Sequence, residues 1–271
     1  MHAAAANPAH KSAANNQVPT SEATAFESWP GKFLADPVVQ FGRGIAGDLP
    51  VAEKREWLVT NGIGGFASGT MAGSLTRRYH GLLFAALKPP LGRTLLVSHL
   101  QEIAEYDGRR YELATCRWSG GSVSPAGHRL IESFRLEGTN PVWIYALADA
   151  LVEKRVWMQQ GANRTYVSYK LVRGNGPVSL QIKALVNYRD YHASTHAGGW
   201  RMNIDLVEHG IRIVAFEGAA PFRLLSLSAA AEPAHEWYYN FDLAVERYRA
   251  LDDREDHLHA ATLRAVLAVG E

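Results

Sequence analysis

The sequence predicts a mainly β protein, an antiparallel sandwich or barrel with little helix. Three observations carry this. Apolar-rich runs recur every 8 to 12 residues with turn signals between them. One run, Thr165 to Val172, alternates clearly in the period of two that a half-buried strand requires. No strand-like run is followed by the long amphipathic segment that a βαβ unit would need.

In chain order, residues 1–25, "MHAAAANPAHKSAANNQVPTSEATA", are alanine-rich and polar, and read as a disordered tail. They lack the basic start and continuous apolar core of a signal peptide. The domain proper is assigned to residues 26–271. Its first marked segment is Glu56 to Leu87, "EWLVTNGIGGFASGTMAGSLTRRYHGLLFAAL". Gly62, Gly64, Gly65 and Gly69 suit a sharp turn between strands, where glycine permits positive φ and close backbone approach. A phosphate-cradling loop would instead have to open a helix, and the β-like continuation argues against that. Two apolar runs flank Asp107-Gly108, a strong hairpin signal. From Asn140 to Tyr191 three more runs are expected, split at Gln160–Asn163 and at Gly174–Pro177. In the middle one Tyr166, Ser168 and Lys170 face away from Val167, Tyr169 and Leu171. A hairpin turning at His209-Gly210 and a strand in "PFRLLSLSAA" follow. The best helix candidate is "FDLAVERYRALDDREDHLHAATLRAVLA", although its end, "LRAVLAVGE", also reads as a last strand.

Charge and composition narrow the function. With 28 basic and 27 acidic residues there is no basic excess to suggest a nucleic-acid partner. The longest apolar run, "VWIYALADALV", is broken by Asp149 and is far too short to span a membrane. The lone Cys116 cannot form an internal disulfide, so the reading is cytoplasmic. Asn163-Arg164-Thr165 matches a glycosylation acceptor, a match read as chance. His192 and His196 have a ligand-like spacing in a segment that is no convincing helix; no metal or cofactor is expected.

Two polar-aromatic blocks stand out. Arg77, Arg78, Tyr79 and His80 combine the donors and aromatic surface that a polyhydroxyl ligand needs, or form an exposed strand start. Asn187, Tyr188, Arg189, Asp190, Tyr191 and His192 repeat that chemistry, and could equally be a self-satisfied Arg–Asp corner. Near the C-terminus Trp237, Tyr238 and Tyr239 precede a run of carboxylates. Interleaving with Arg247, Arg249 and Arg254 reads that run as a solvated face rather than an acid pair for glycoside hydrolysis.

Four of these stretches, in this order, resemble one family. "EWLVTNGIGGFASGTMAGSLTRRYHGLLFAAL", "VEKRVWMQQGANRTYVSYKL", "LVNYRDYH" and "EWYYNFDLAVERYRALDDRED" are similar to the N-terminal domain of bacterial and archaeal glycogen debranching enzymes of the amylo-α-1,6-glucosidase type. The resemblance implies a large antiparallel β-sandwich, a super-sandwich, packed against a catalytic (α/α)6 barrel. It implies a non-catalytic role, in which the catalytic carboxylates belong to the barrel and the sandwich helps frame the glucan site. The partners implied are that barrel, in cis or in trans, and an α-glucan such as glycogen, amylopectin or a maltooligosaccharide. The sequence ends where the barrel would begin, so the expectation is a fragment or a barrel encoded separately. The residues expected to contact glucan or barrel are Asn61, Gly62, Gly64, Gly65, Arg77, Arg78, Tyr79, His80, Asn187, Arg189, Asp190, Tyr191, His192 and Trp237. Two other readings are carried. One is a stand-alone glucan-binding or scaffolding module displaying Trp200, Trp237 and Tyr238. The other is a small hydrolase using Asp190 with Glu246 or Asp253.

Overall fold

The computed structural model describes residues 38–270. The tail assigned to residues 1–25 lies outside the described residues. The elements in order are β1 (Gln40–Gly42), α1 (Arg43–Ala46), α2 (Leu49–Ala52), β2 (Glu56–Thr60), β3 (Phe66–Thr70), β4 (Gly81–Lys88) and β5 (Leu91–Tyr106). Then come β6 (Arg109–Glu112), β7 (Thr115–Arg117), β8 (Val123–Ala126), a 3-10 turn at Gly127–Leu130, β9 (Ile131–Glu137), β10 (Asn140–Leu147), β11 (Ala150–Met158), β12 (Thr165–Arg173) and β13 (Val178–Asp190). The chain closes with β14 (Asn203–Val207), β15 (Gly210–Val214), β16 (Phe222–Leu225), β17 (Ala230–Asp242), α3 (Ala244–Tyr248) and β18 (Arg254–Leu267).

All named pairings are antiparallel, and they build a mainly β sandwich. One main sheet runs β1-β9-β10-β11-β12; the other runs β17-β18-β13-β5-β4-β3-β2, with β6 on β5. The two pack face to face. Trp57 of β2 meets Trp143 of β10 edge-on at 5.7 Å, and Trp143 Nε1 donates to the Met71 carbonyl at 2.9 Å. Deep between the sheets Lys154 of β11 pairs with Glu102 of β5, which also accepts from the Tyr169 hydroxyl at 2.6 Å. Smaller sheets, β14-β15-β16 and β7-β8, complete the fold. A second apolar cluster of Ala114, Cys116, Leu185 and Phe241, with Trp118 and Tyr238 against it, lies under the β7-β8 ribbon. Because layers cover both of its faces, β5 is buried almost continuously from Thr94 to Ala104 rather than alternately.

The hairpin expected at Asp107-Gly108 is present, with both residues at positive φ (50° and 66°), as a two-residue turn on right-twisted strands needs. The stretch from Asn140 to Tyr191 holds four strands, not three. The extra turn falls at Ala148-Asp149, inside an apolar run, where Asp149 accepts from the Tyr106 hydroxyl (3.1 Å) and Asn175 Nδ2 (2.8 Å). The late hairpin turns at Glu208-His209, one residue earlier than expected.

The C-terminal helix candidate is corrected. Only Ala244–Tyr248 is helical, and the remainder is the 14-residue strand β18. Its Ala, Leu and Arg content favours helix locally, but β18 is hydrogen-bonded on both sides, to β13 and β17, and is buried from Glu255 to Thr262. Tertiary pairing overrides propensity there. Among the described residues no helix is long and apolar enough to cross a membrane.

Candidate functional site

The glycine turn between β2 and β3 is built around Asn61. Its Oδ1 accepts from the Ile63 and Gly65 amides (3.1 and 2.9 Å). Its Nδ2 reaches across to the β11–β12 turn, donating to the Ala162 carbonyl (3.0 Å) and Asn163 Oδ1 (3.1 Å). Asn163 in turn brackets Ala86 of β4, accepting from its amide and donating to its carbonyl. This asparagine clasp joins three segments and gives the apparent glycosylation acceptor a structural role. Gly62 and Gly64 take φ of 77° and 99°, and a Cβ on Gly65 would stand 2.5 Å from Asn61 Nδ2. The sharp-turn reading therefore holds for Gly62, Gly64 and Gly65, whereas Gly69 lies within β3, where a Cβ would stand 3.1 Å from the Trp57 ring.

Arg93, at the start of β5, carries the contact onward. Its Nε donates to the Gly64 carbonyl at 2.8 Å, and its guanidinium lies 5.5 Å from the Tyr191 ring centroid. The Tyr191 amide donates to the Arg93 carbonyl at 3.1 Å. Tyr191 neighbours Tyr79, with ring centroids 6.0 Å apart, and the Tyr79 hydroxyl lies 3.0 Å from His192 Nδ1. Arg78 donates to the His192 carbonyl at 2.6 Å, while Asp190 Oδ1 accepts from the His192 amide at 2.9 Å. The three stretches singled out in the sequence thus form one continuous strip: Gly64, Arg93, Tyr191, Tyr79, His192, Arg78.

Beneath the strip lies a layer of buried ionic groups. Arg189, paired with the carboxylate of Glu255, also donates to the Arg78 carbonyl at 2.6 Å. Burial pushes the Glu255 carboxyl up against the downward pull of Arg189. Glu246, fully buried on α3, accepts from the Arg78 amide at 3.1 Å and places its second oxygen 3.5 Å from Arg78 Nε. The Val245 amide donates to the Thr76 carbonyl at 2.9 Å, so α3 is tied to the same segment twice. On the other flank His80 Nδ1 accepts from the Thr76 amide (3.1 Å), which leaves Nε2 to carry the ring hydrogen toward Glu56 at 3.4 Å. His80, joined by Arg77 at 2.5 Å, holds the Glu56 carboxyl down to about 2 despite partial burial. Asn187 is also internal: it donates to the Asp256 carbonyl at 3.0 Å and accepts from the Thr195 hydroxyl at 2.7 Å.

The fourteen candidates therefore divide. Asn61, Gly65, His80, Asn187 and Arg189 are buried and bond inward; Gly62, Asp190 and His192 are exposed; Gly64, Arg78, Tyr79 and Tyr191 are half-buried along the strip, and Arg77 is half-buried on its flank, paired with Glu56. Trp237 is separate. Its Nε1 donates to the Trp200 carbonyl at 2.9 Å, and the two indoles pack 5.8 Å apart. Sequence reasoning missed Arg93, Asn163, Glu246 as an anchor, and Glu255. None carries a local signature, since each acquires its role from a partner distant in the chain. Glu246 cannot serve as an acid in an open cleft, because it is fully enclosed and ion-paired. Next to Arg78, the α3 segment leaves Tyr248 91% and Leu251 44% exposed among arginines, a mixed apolar and basic surface. Among the described residues no three His, Cys, Asp or Glu side chains gather as a metal site would require.

Fold and strip define a large antiparallel β-sandwich domain carrying a rigidly supported polar-aromatic surface. Residues 55–271 match the family described as glycogen debranching enzyme N terminal, and the chain belongs to that family. No curated protein matches the chain.

Proposed function

We propose that this domain assists an α-1,6-glucosidase at glycogen and amylopectin branch points. It packs against a catalytic (α/α)6 barrel in the cytoplasm and frames the mouth of the barrel's glucan site. The observation that carries this reading is the continuity of the strip. Stretches up to 128 positions apart, from Gly64 to His192, converge through hydrogen bonds and ring contacts on one surface. Tyr79, Tyr191 and His192 offer aromatic faces and polar tips, and Arg78 offers a fork of donors, which suits sugar hydroxyls. Buried Glu246, Arg189, His80 and Asn61 act as positioning residues, fixing the backbone on which those groups stand. Exposed Tyr248 and Leu251 beside Arg78 suit burial against the barrel.

The test is glucose release from a branched maltooligosaccharide by this chain, by a catalytic barrel of the same family, and by both together. No release by the chain alone and faster release with both is expected. His192→Ala, which leaves the buried layer intact, lowers the joint rate about tenfold, the loss of roughly 1.4 kcal/mol of transition-state stabilisation. Release by the chain alone, or a barrel indifferent to its presence, overturns the proposal.

A further inference from the structure

The outer face of the eight-stranded sheet carries a second polar-aromatic cluster that the strip does not use. Tyr238 of β17 and Trp118, just past β7, lie with ring centroids 6.4 Å apart and planes only 27° from parallel. Both are half-buried, and both are held. Lys183 Nζ donates to the Tyr238 hydroxyl at 2.7 Å. Trp118 Nε1 donates to the Ser124 carbonyl at 2.6 Å, and its ring packs on Phe241 at 4.5 Å. Two residues before Tyr238, on the same face of β17, Glu236 extends into solvent with 67% of its side chain exposed. Facing it, His259 is only 5% exposed, and its Nδ1 has no hydrogen-bond partner. That nitrogen stands 3.6 Å from Glu236 Oε2, beyond hydrogen-bond reach.

Three features define what such a place would take. The rings are fixed in position, so stacking on them costs little side-chain entropy. The charged groups beside them, Lys183 and Glu236, are of opposite sign and sum to zero, which favours a neutral ligand over an anion or a cation. His259 Nδ1 is a buried polar atom held only loosely, 3.6 Å from Glu236 Oε2, and a ligand hydroxyl that bridges the two would complete its hydrogen bonding. A ligand with an apolar C–H face and a rim of hydroxyls meets all three conditions.

We infer that Trp118, Tyr238, Lys183, Glu236 and His259 form a second saccharide-binding site, separate from the strip. It holds a glucose unit of a neutral glucan by stacking on the ring pair and by hydrogen bonds with the charged groups, Lys183 donating and Glu236 accepting. The choice of an α-glucan among neutral saccharides rests on the debranching reading. The site would tether the polymer away from the bond being cut, raising its local concentration at the strip.

The experiment is titration of the full chain with maltoheptaose, read by tryptophan fluorescence, and its retardation in glycogen-containing native gels. Thermal melting checks that each variant is folded. Tyr238→Ala is expected to weaken maltoheptaose binding about fivefold, the scale of one aromatic contact. Glu236→Ala, at an exposed position that folding does not need, weakens it in the same direction. The double change Tyr79→Phe with His192→Ala reports any share of binding taken by the strip, and Leu206→Ala, at an exposed position of β14, leaves binding unaltered. Loss of binding only in the strip variant would overturn this site while leaving the proposed function standing. Absence of any binding by the unaltered chain would also overturn it, and would not touch the barrel-dependent test of glucose release. Binding unaffected by Tyr238→Ala and Glu236→Ala would overturn it as well.

Discussion

Histidine placement shows how strongly single residues are tuned. His99 and His257 are enclosed on the eight-stranded sheet, and burial lowers them from 6.5 to about 4 and about 3. His257 Nδ1 lies 3.1 Å from Asn187 Nδ2, so the folded state keeps the ring neutral as an acceptor. In the unfolded chain both rings titrate near 6.5, so between that value and about 4 the unfolded state binds more protons than the native state. Stability contributed by the neutral rings is complete above that window and falls as the pH drops through it. Each group contributes a slope of about 1.4 kcal/mol per pH unit within the window. Urea unfolding at pH 7, 5.5 and 4.5 should show this loss, and His99→Gln should make the dependence shallower. A pH-independent urea midpoint across that range would contradict the assignment. The same scale explains what sequence could not supply. In the sequence His80 reads as a ligand contact or an exposed strand start and Glu246 as part of a charge-mixed segment or a candidate acid, yet each is buried because its partner, Glu56 or Arg78, waits in another segment.

At the scale of elements, the turns decide the architecture. Gly64 and Gly65 occupy positions where no side chain fits. A Cβ on Gly64 would meet the Pro90 carbonyl oxygen at 2.5 Å at a φ of +99°, and one on Gly65 would strike both asparagines of the clasp. Gly73, also at positive φ (+81°), has open space around it. Alanine at Gly65 is therefore expected to cost about 2–4 kcal/mol through overpacking and loss of the clasp, whereas Gly73→Ala costs about 1 kcal/mol of backbone strain. Chemical denaturation of the two variants measures the difference directly, and equal costs would refute it. Turns built from glycine, such as Asp107-Gly108, were legible in the sequence because their conformation needs that residue. The Ala148-Asp149 turn was not legible, since Ala148 takes a φ of 54° only where Tyr106 and Asn175 hold the neighbouring aspartate. The helix expected over residues 241–268 failed for a related reason: local propensity is a few tenths of a kcal/mol per residue, and a strand paired on both sides gains more.

For the molecule as a whole, an ionic bridge as well as apolar packing joins the two main sheets. Lys154 and Glu102 are 13% and 1% exposed, and the rings of Trp143 and Tyr169 lie 5.6 and 5.9 Å from the ammonium. A small cavity of about 40 Å³ borders the pair. Removing one partner leaves the other charge buried, so Lys154→Met alone should destabilise by about 3–5 kcal/mol. Adding Glu102→Gln, which keeps an acceptor for the Tyr169 hydroxyl, should recover a substantial part of that loss. A double variant as unstable as the single one in urea would show that the pair is not coupled.

By itself the sequence determined the class of fold, the order and approximate spacing of its strands, the glycine turns and the family. Those features are written in periodicities, turn residues and contiguous motifs, which act over a few positions. It also marked the polar-aromatic stretches of the strip, because their residue types are unusual for strands. Only the tertiary structure decided which of those residues face outward and which are enclosed beneath them. It alone brought in Arg93, Asn163 and Glu255, turned Glu246 from a surface acid into a buried anchor, and set Trp237 apart. Burial and ion pairing depend on which distant segments an antiparallel sheet brings side by side, and no local pattern in a chain specifies that.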